Sequence, residues 1–338
     1  MNLQELGWGY FFEQQIEDSE SGLLPARVCR EDINQYHLLA ENRNLIGTLP
    51  GKLRHSAHSR ASLPAVGDWV LTSSIEGGEL DYVQIERMLE RKSKISRREA
   101  GDTVSEQVIA ANIDTVFIVC GLDDDFNIAR IERYMLLCEE SNSEPVILLN
   151  KADIKDDHTD KIKQLSTIAV GVAWHLISAK ENTGLEAVRQ YIGPGTTSAL
   201  LGSSGAGKST IINVLLGYKH FDTQSVRPSD SRGRHTTTFR EMVALPNKGL
   251  IIDTPGMREL QIWLDGETLT KKFKDIAELA LQCKFSDCGH NTEPDCAIRN
   301  AITDGSLDKE RFKRYQKIEK EVIQLESRQK VKSKDLEN

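Results

Sequence analysis

The residues best suited to chemistry fall into short, widely spaced groups. Gly202-Ser203-Ser204-Gly205-Ala206-Gly207-Lys208-Ser209 has the GxxxxGK[ST] spacing of a phosphate-binding loop, and Thr210 follows directly. Glycines let the backbone wrap closely, so that successive N–H groups face phosphate oxygens. The helix N-terminus behind them adds positive potential. In such a loop Lys208 reaches the β- and γ-phosphates and the Ser209 hydroxyl ligates Mg²⁺. The surroundings suit this, because residues 198–201 read as a strand and 210–216 as an amphipathic helix.

The base is chosen elsewhere. Asn150-Lys151-Ala152-Asp153 follows the apolar run 145–149. An aspartate carboxylate accepts two hydrogen bonds from guanine, at N1–H and the exocyclic amine, and adenine offers no such pair. Asn150 would brace the loop and contact the base edge, and the Lys151 stem would cover the ring. Ser178-Ala179-Lys180, after a strand at 173–177, supplies a backbone N–H to the guanine oxygen. Four residues alone match by chance often, but beside an intact phosphate loop they specify GTP.

Asp253-Thr254-Pro255-Gly256 ends a further strand. In this DxxG pattern the aspartate holds Mg²⁺ through water and the Gly256 N–H senses the γ-phosphate. Between it and the phosphate loop runs Gly233-Arg234-His235-Thr236-Thr237-Thr238. One of these threonines is the natural second Mg²⁺ ligand, and Thr237 is favoured. Met257 stands where many GTPases place a water-orienting glutamine. A thioether cannot polarise water, so His235 becomes the candidate catalytic residue. A solvent-exposed loop histidine is the plainer alternative.

Cys283-x4-Cys288-x-His290-x5-Cys296 offers three sulfurs and an imidazole. That set fills a tetrahedral shell and leaves no open position, so it predicts one structural Zn²⁺. Cys29, Cys120 and Cys138 read as lone or core thiols.

The elements that must position these groups can be read from texture. The 338 residues suffice for two or three compact units of roughly 100–200 residues. Composition is globular, and no apolar run approaches the ~18–20 residues of a membrane span. No cationic n-region followed by an apolar stretch opens the chain, which predicts a cytoplasmic protein without membrane attachment. A net charge of −8 excludes a uniformly basic nucleic-acid binder but leaves local patches. Residues 1–30 form a docking helix or a flexible arm, with an aromatic knot at Trp8, Tyr10, Phe11 and Phe12. From 35 to 89, short apolar stretches between Gly and Pro turns predict a small closed β-barrel. Two basic stretches lie in or beside it: Arg43, Lys52, Arg54 and Arg60, then Arg87, Arg91, Lys92, Lys94, Arg97 and Arg98. From 114 onward, strands alternate with helices, which predicts a mainly parallel α/β sheet. After 257 the chain reads as helical, ending in an amphipathic helix through Phe312, Tyr315, Ile318, Val322 and Leu325, with a frayed tail beyond Lys330.

The order of the motifs is unusual. Common GTPases run phosphate loop, threonine switch, DxxG, NKxD, SAK. Here NKxD and SAK come first. The same sheet can be built this way if the domain is circularly permuted, since chain termini often lie close together. The DxxG switch then leads straight into the C-terminal region.

NKxD, SAK, the phosphate loop, GRHTTT and DTPG, together with Leu63-Pro-Ala-Val-Gly-Asp-Trp-Val70 and Cys283-Lys-Phe-Ser-Asp-Cys-Gly-His290, resemble the RsgA (YjeQ/YloQ) family over roughly residues 35–325. These are bacterial permuted GTPases that assist maturation of the small ribosomal subunit. The resemblance implies an N-terminal extension (1–34), an OB-fold RNA-binding domain (35–100), a circularly permuted G domain (101–260) and a mainly α zinc-binding domain (261–338). It also implies weak GTPase activity stimulated by the 30S subunit, with outer domains on 16S rRNA, and it places the family's catalytic histidine at His235; a monomer is expected. Two other readings remain at this point: a permuted GTPase serving another RNA or translation step, and an RNA-binding scaffold that hardly turns GTP over.

Overall fold

The computed structural model describes residues 1–56, 59–75, 81–98, 105–154, 156–221, 240–254 and 266–337, side chains at 55, 56 and beyond 327 excepted. The described chain divides into two compact units, the first running to Gln261 and the second from Ile262.

Five strands close the barrel: β1 (Leu24–Asp32), β2 (Gln35–Ala40), β3 (Arg43–Thr48), β4 (Trp69–Ser74) and β5 (Tyr82–Met88), in the order β1-β2-β3-β5-β4 with β4 returning to β1. β1 pairs with β4 through Leu24–Arg27, with β2 through Arg27–Asp32 and with a further strand at Arg30, and its register with β2 shifts at a bulge between Val28 and Arg30. Alternation on β2 turns Tyr36, Leu38 and Ala40 inward, against Val28, Leu45, Val70 and Ile85. The barrel therefore begins at Leu24, not at residue 35 as the sequence suggests. Arg27, Arg30, Glu31 and Asp32 break the apolar alternation that would have marked β1.

The aromatic knot settles on this barrel. A short helix α1 (Tyr10–Glu13) follows buried Leu6 and Trp8, and Trp8 meets Trp69 edge-on at 4.8 Å, with Phe12 5.7 Å from Trp8. Each buried aromatic contributes about 1.5–3 kcal/mol, enough to hold so short a segment. The first basic stretch lies partly on helix α2 (Gly51–Ser56), and Arg43 and Lys52 are exposed. The second stretch is mostly consumed internally. Arg87 pairs with Glu20 at 2.6 Å, Lys92 with Asp114 at 2.9 Å and Lys94 with Glu106 at 2.6 Å. Arg91 forks onto fully buried Asp68 at 2.7 and 2.8 Å.

A hairpin of β6 (Lys94–Arg98) and β7 (Glu106–Ala111) leads to the α/β sheet. There β8 (Thr115–Gly121), β9 (Glu144–Asn150), β10 (Ala173–Leu176), β11 (Thr197–Gly202) and β13 (Leu250–Asp253) run parallel, and β12 (Glu241–Ala244) runs antiparallel to β13. The spatial order is β10-β9-β8-β11-β13-β12. β8 and β11 are buried along their whole length, as continuous apolar runs in a covered parallel sheet require. Helices α3 (Ile128–Glu140), α4 (Thr159–Ile168), α5 (Leu185–Arg189) and α6 (Lys208–Leu216) connect them.

Barrel and α/β sheet share one unit, joined at the Arg30–Glu241 pairing of β1 with β12. Arg27 lies fully buried beneath. It donates to Gly67 O at 3.1 Å, to Asn112 O at 2.9 Å and to Leu6 O. Burial lowers this guanidinium to about 10, against the raising effect of Asp114 and Asp68. One side chain thus ties the N-terminal segment, the barrel and the start of the α/β domain together.

The second unit contains α7 (Gly266–Lys272), α8 (Lys274–Ala280), α9 (Ala297–Asp304) and α10 (Lys309–Glu337). Phe273, Ile276, Ile298, Phe312, Ile318 and Val322 are buried in it. The last helix does not fray at Lys330 but continues to Glu337.

Candidate nucleotide and metal sites

The phosphate-loop residues lie between the end of β11 at Gly202 and the start of α6 at Lys208. Gly205 (φ +84°) and Gly207 (φ +101°) take left-handed conformations that other residues adopt only at a cost. Lys208 is buried, its Nζ 2.8 Å from the carbonyls of Gly202 and Ser203. Desolvation lowers its pKa, while Asp253 and Asp125 oppose that. Ser203 lies inside the loop, Ser204 is exposed, and Ala206 is fully buried. Ser209 and Thr210 occupy the first turn of α6, half-buried.

Asn150 ends β9 and is 3% exposed. Its Nδ2 donates to Ala206 O at 2.8 Å, and its Oδ1 accepts from Ala179 N at 3.0 Å. The structure thus brings the NKAD, SAK and phosphate loops together, and spends the Asn150 amide on bracing them. Lys151 follows in a left-handed conformation (φ +67°). Ala152 N donates to Ile177 O at 3.1 Å. Ser178 Oγ donates to Asp153 Oδ1 at 2.6 Å, which together with Lys180, 3.7 Å away, holds the Asp153 carboxyl below its usual range.

The loop after β8 carries residues that sequence reasoning missed. Asp123 Oδ2 is 2.6 Å from Lys151 Nζ. Asp125 accepts from Ser203 Oγ at 2.6 Å and pairs with Arg130 at 2.7 Å. The available signal was position: three consecutive aspartates, Asp123-Asp124-Asp125, follow the C-terminal end of a strand, as NKAD and the phosphate loop also do.

Asp253 closes β13 and is 1% exposed. Its Oδ1 has no hydrogen-bond partner among the described residues, and burial raises its pKa against the lowering effect of Lys208. An orphaned buried carboxylate oxygen in the neighbourhood of the phosphate-loop lysine fits a role toward a hydrated divalent cation. Gly256, Met257, His235 and Thr237 lie outside the described residues.

In the C-terminal unit, one ligand atom from each of Cys283, Cys288, His290 and Cys296 falls within 4.8 Å of the others. Cys283 Sγ is 3.9 Å from Cys296 Sγ, and each of these sulfurs is 3.5 Å from His290 Nδ1. Tetrahedral zinc with Zn–S near 2.3 Å and Zn–N near 2.0 Å needs edges of about 3.8 and 3.5 Å, so the donor set fits. Desolvation raises the Cys283 thiol, but backbone N–H groups of Ala297 and Ile298, at the start of α9, together with Cys296 and Cys288, bring it below its usual value. Cys288 is pushed up to about 11, by desolvation first. His290 adopts φ +58°, and its ring lies 6.0 Å from that of Phe312.

Fold and site define a circularly permuted P-loop GTPase with an OB-like barrel before it and a helical Cys/His region after it. A family model described as RsgA GTPase matches residues 88–263. A second, described as 50S ribosome-binding GTPase, matches residues 197–330. The second match starts at the strand feeding the phosphate loop, where an unpermuted GTPase begins. The small ribosomal subunit biogenesis GTPase RsgA of Opitutus terrae is 43% identical over 329 residues, covering 95% of this chain and 90% of that protein. RsgA 1 of Oceanobacillus iheyensis is 42% identical over 334 residues, covering 98% and 94%. The crystal structure of YjeQ from Thermotoga maritima superposes with a TM-score of 0.64 at 26% identity, covering 89% of this chain and 99% of that one. YloQ, described as a circularly permuted GTPase, shares the fold with a TM-score of 0.59 at 22% identity, covering 91% and 98%. The chain belongs to the RsgA GTPase family.

Proposed function

We propose that this protein hydrolyses GTP on the 30S ribosomal subunit and so assists late maturation of that subunit. The observation that carries the reading is the junction at Asn150, which gathers a base-reading pair of loops and a phosphate loop at one end of a single sheet. Relatives above 40% identity that are small ribosomal subunit biogenesis GTPases support the small-subunit assignment.

In this reading Asp153 accepts from the guanine N1–H and amine, Ser178 fixes that carboxylate, the Ala179–Lys180 backbone meets the guanine oxygen, and the Lys151 stem covers the ring. The backbone of residues 202–210 cradles the phosphates and Lys208 turns to the β- and γ-oxygens. Mg²⁺, where bound, neutralises charge on those oxygens. Ser209 and Thr237 are its direct protein ligands, and Asp253 acts through water. Gly256 N–H meets the γ-phosphate, and His235 orients the attacking water. Cys283, Cys288, His290 and Cys296 hold one structural Zn²⁺. The barrel and the zinc unit meet 16S rRNA, with Arg43 and Lys52 as exposed cations on the barrel. The second basic stretch, largely paired within the protein, contributes little to that contact. No described helix is long and apolar enough to cross a membrane. We propose that the protein acts in the cytoplasm, where ribosomal subunits are assembled, as a monomer.

Multiple-turnover GTP hydrolysis with and without purified 30S particles tests this, with 50S subunits and tRNA as comparators. Stimulation confined to 30S is expected. Equal stimulation by tRNA or 50S points to another translation step, and no turnover in any condition leaves an RNA-binding scaffold.

A further inference from the structure

The base-covering lysine of NKxD is held by an acid from a different part of the chain. Lys151 Nζ is 2.6 Å from Asp123 Oδ2, with the two side chains 24% and 34% exposed. Asp123 has no freedom to drift, because its loop is pinned at several points. Leu122 N donates to Asn150 O at 2.9 Å, the residue preceding Lys151. Leu122 O accepts from Lys161 Nζ. Asp125 N donates to Asp123 Oδ1 at 3.2 Å, and Asp125 itself is anchored to Ser203 and Arg130. Gly121 makes room for the arrangement. A methyl there would stand 2.4 Å from Asp123 Oδ1 and 3.4 Å from Lys151 Cδ.

We infer that Asp123 is a positioning residue for guanine-nucleotide binding, whose ion pair holds the Lys151 side chain where its stem lies over the base. Asp125, bonded to the phosphate-loop serine from the same short loop, sets that stem in register with the phosphates. The inference rests on the base-covering role proposed for Lys151. The net lowering of the Asp123 pKa, with Lys151 overcoming burial, agrees with a charged partner. Because the ring is common to GTP and GDP, the effect must appear equally in both.

Equilibrium binding of GTP and GDP to the full-length chain tests this with Asp123→Asn, Lys151→Ala and the double variant. Asp123→Asn is expected to weaken both nucleotides about fivefold, the range for a partly exposed ion pair. If Asp123 acts through Lys151, the double variant binds no more weakly than Lys151→Ala alone. Gly121→Ala, which displaces the Asp123 carboxylate without changing charge, should give a loss similar to Asp123→Asn and guards against a trivial folding defect. Additive losses, or normal affinity in Asp123→Asn while Lys151→Ala is weakened, overturn the inference alone. Normal affinity in Lys151→Ala removes the base-covering reading and the inference with it.

Discussion

A methyl group on Gly207 would stand 2.1 Å from Asn150 Nδ2. The phosphate loop and the NKAD loop, distant in sequence, are packed so closely that the second constrains the residue type of the first. Gly207 is also left-handed (φ +101°), where an L side chain costs roughly 1–2 kcal/mol. Gly207→Ala should therefore displace Asn150 from Ala206 and Ala179. Loss of GTP affinity by about tenfold or more is expected, from strain together with two forfeited hydrogen bonds of about 1 kcal/mol each. Unchanged affinity in a folded variant by calorimetric titration would show that the brace is dispensable.

The phosphate loop was legible because everything it needs is local: glycines at fixed spacing, a strand before and a helix after. Its dependence on Asn150 was half legible. The bracing was expected, while its particular partners, Ala206 O and Ala179 N, lie far away in sequence and become neighbours only on folding. β1 was not legible. Its Arg27 points away from the barrel core that takes Ala26 and Val28, yet is buried and satisfied by three backbone carbonyls from three regions of the chain, and no sequence period marks such a residue as buried. The basic stretch from Arg87 to Arg98 misled for a related reason. Its partners Glu20, Asp68, Glu106 and Asp114 are near only after folding.

Asp153 sets the preference for guanine in the proposed site. Ser178 Oγ, 2.6 Å from Oδ1, orients the carboxylate and keeps it ionised. Asp153→Asn replaces one acceptor by a donor, which suits the O2 of xanthine where guanine carries an amine. The variant should lose GTP affinity and gain xanthosine triphosphate affinity, both read in the same competition assay. Full retention of GTP binding would move base recognition elsewhere.

The metal prediction follows from what surrounds the cysteines. Leu281 is 86% exposed and Phe285 41%, so no apolar core fixes the segment from Cys283 to Cys296. Metal–ligand bonds must supply that order. Freshly purified protein should carry about one equivalent of zinc. Chelation should open the segment to proteolysis while the GTP-binding unit keeps its melting transition. Less than about half an equivalent of tightly held zinc would count against a structural site.

The last prediction concerns the chemical step. Met257 occupies the position after Gly256 and has no group able to hold water, so hydrolysis needs a donor or acceptor from elsewhere. His235 lies two residues before Thr237, the favoured Mg²⁺ ligand, and only six before β12. β12 is hydrogen-bonded to β13, whose last residue is Asp253, and on its other edge to barrel strand β1. Described residues resume at Arg240, so the chain after His235 continues into a strand that lies between Asp253 and the barrel. A subunit docked on the barrel would be coupled to β12 through the β1–β12 pairing, and through it to the chain that carries His235. His235→Ala should still bind GTP with Mg²⁺, because Lys208, Ser209 and Asp253 are untouched. Its 30S-stimulated hydrolysis should fall by about 10²-fold or more, the range for losing one positioned acid–base group. It should also remain longer on the subunit in the GTP state, measured by co-sedimentation. If His235→Ala turned over normally on 30S, water positioning would belong to another residue, and the guanine-nucleotide site would stand unchanged.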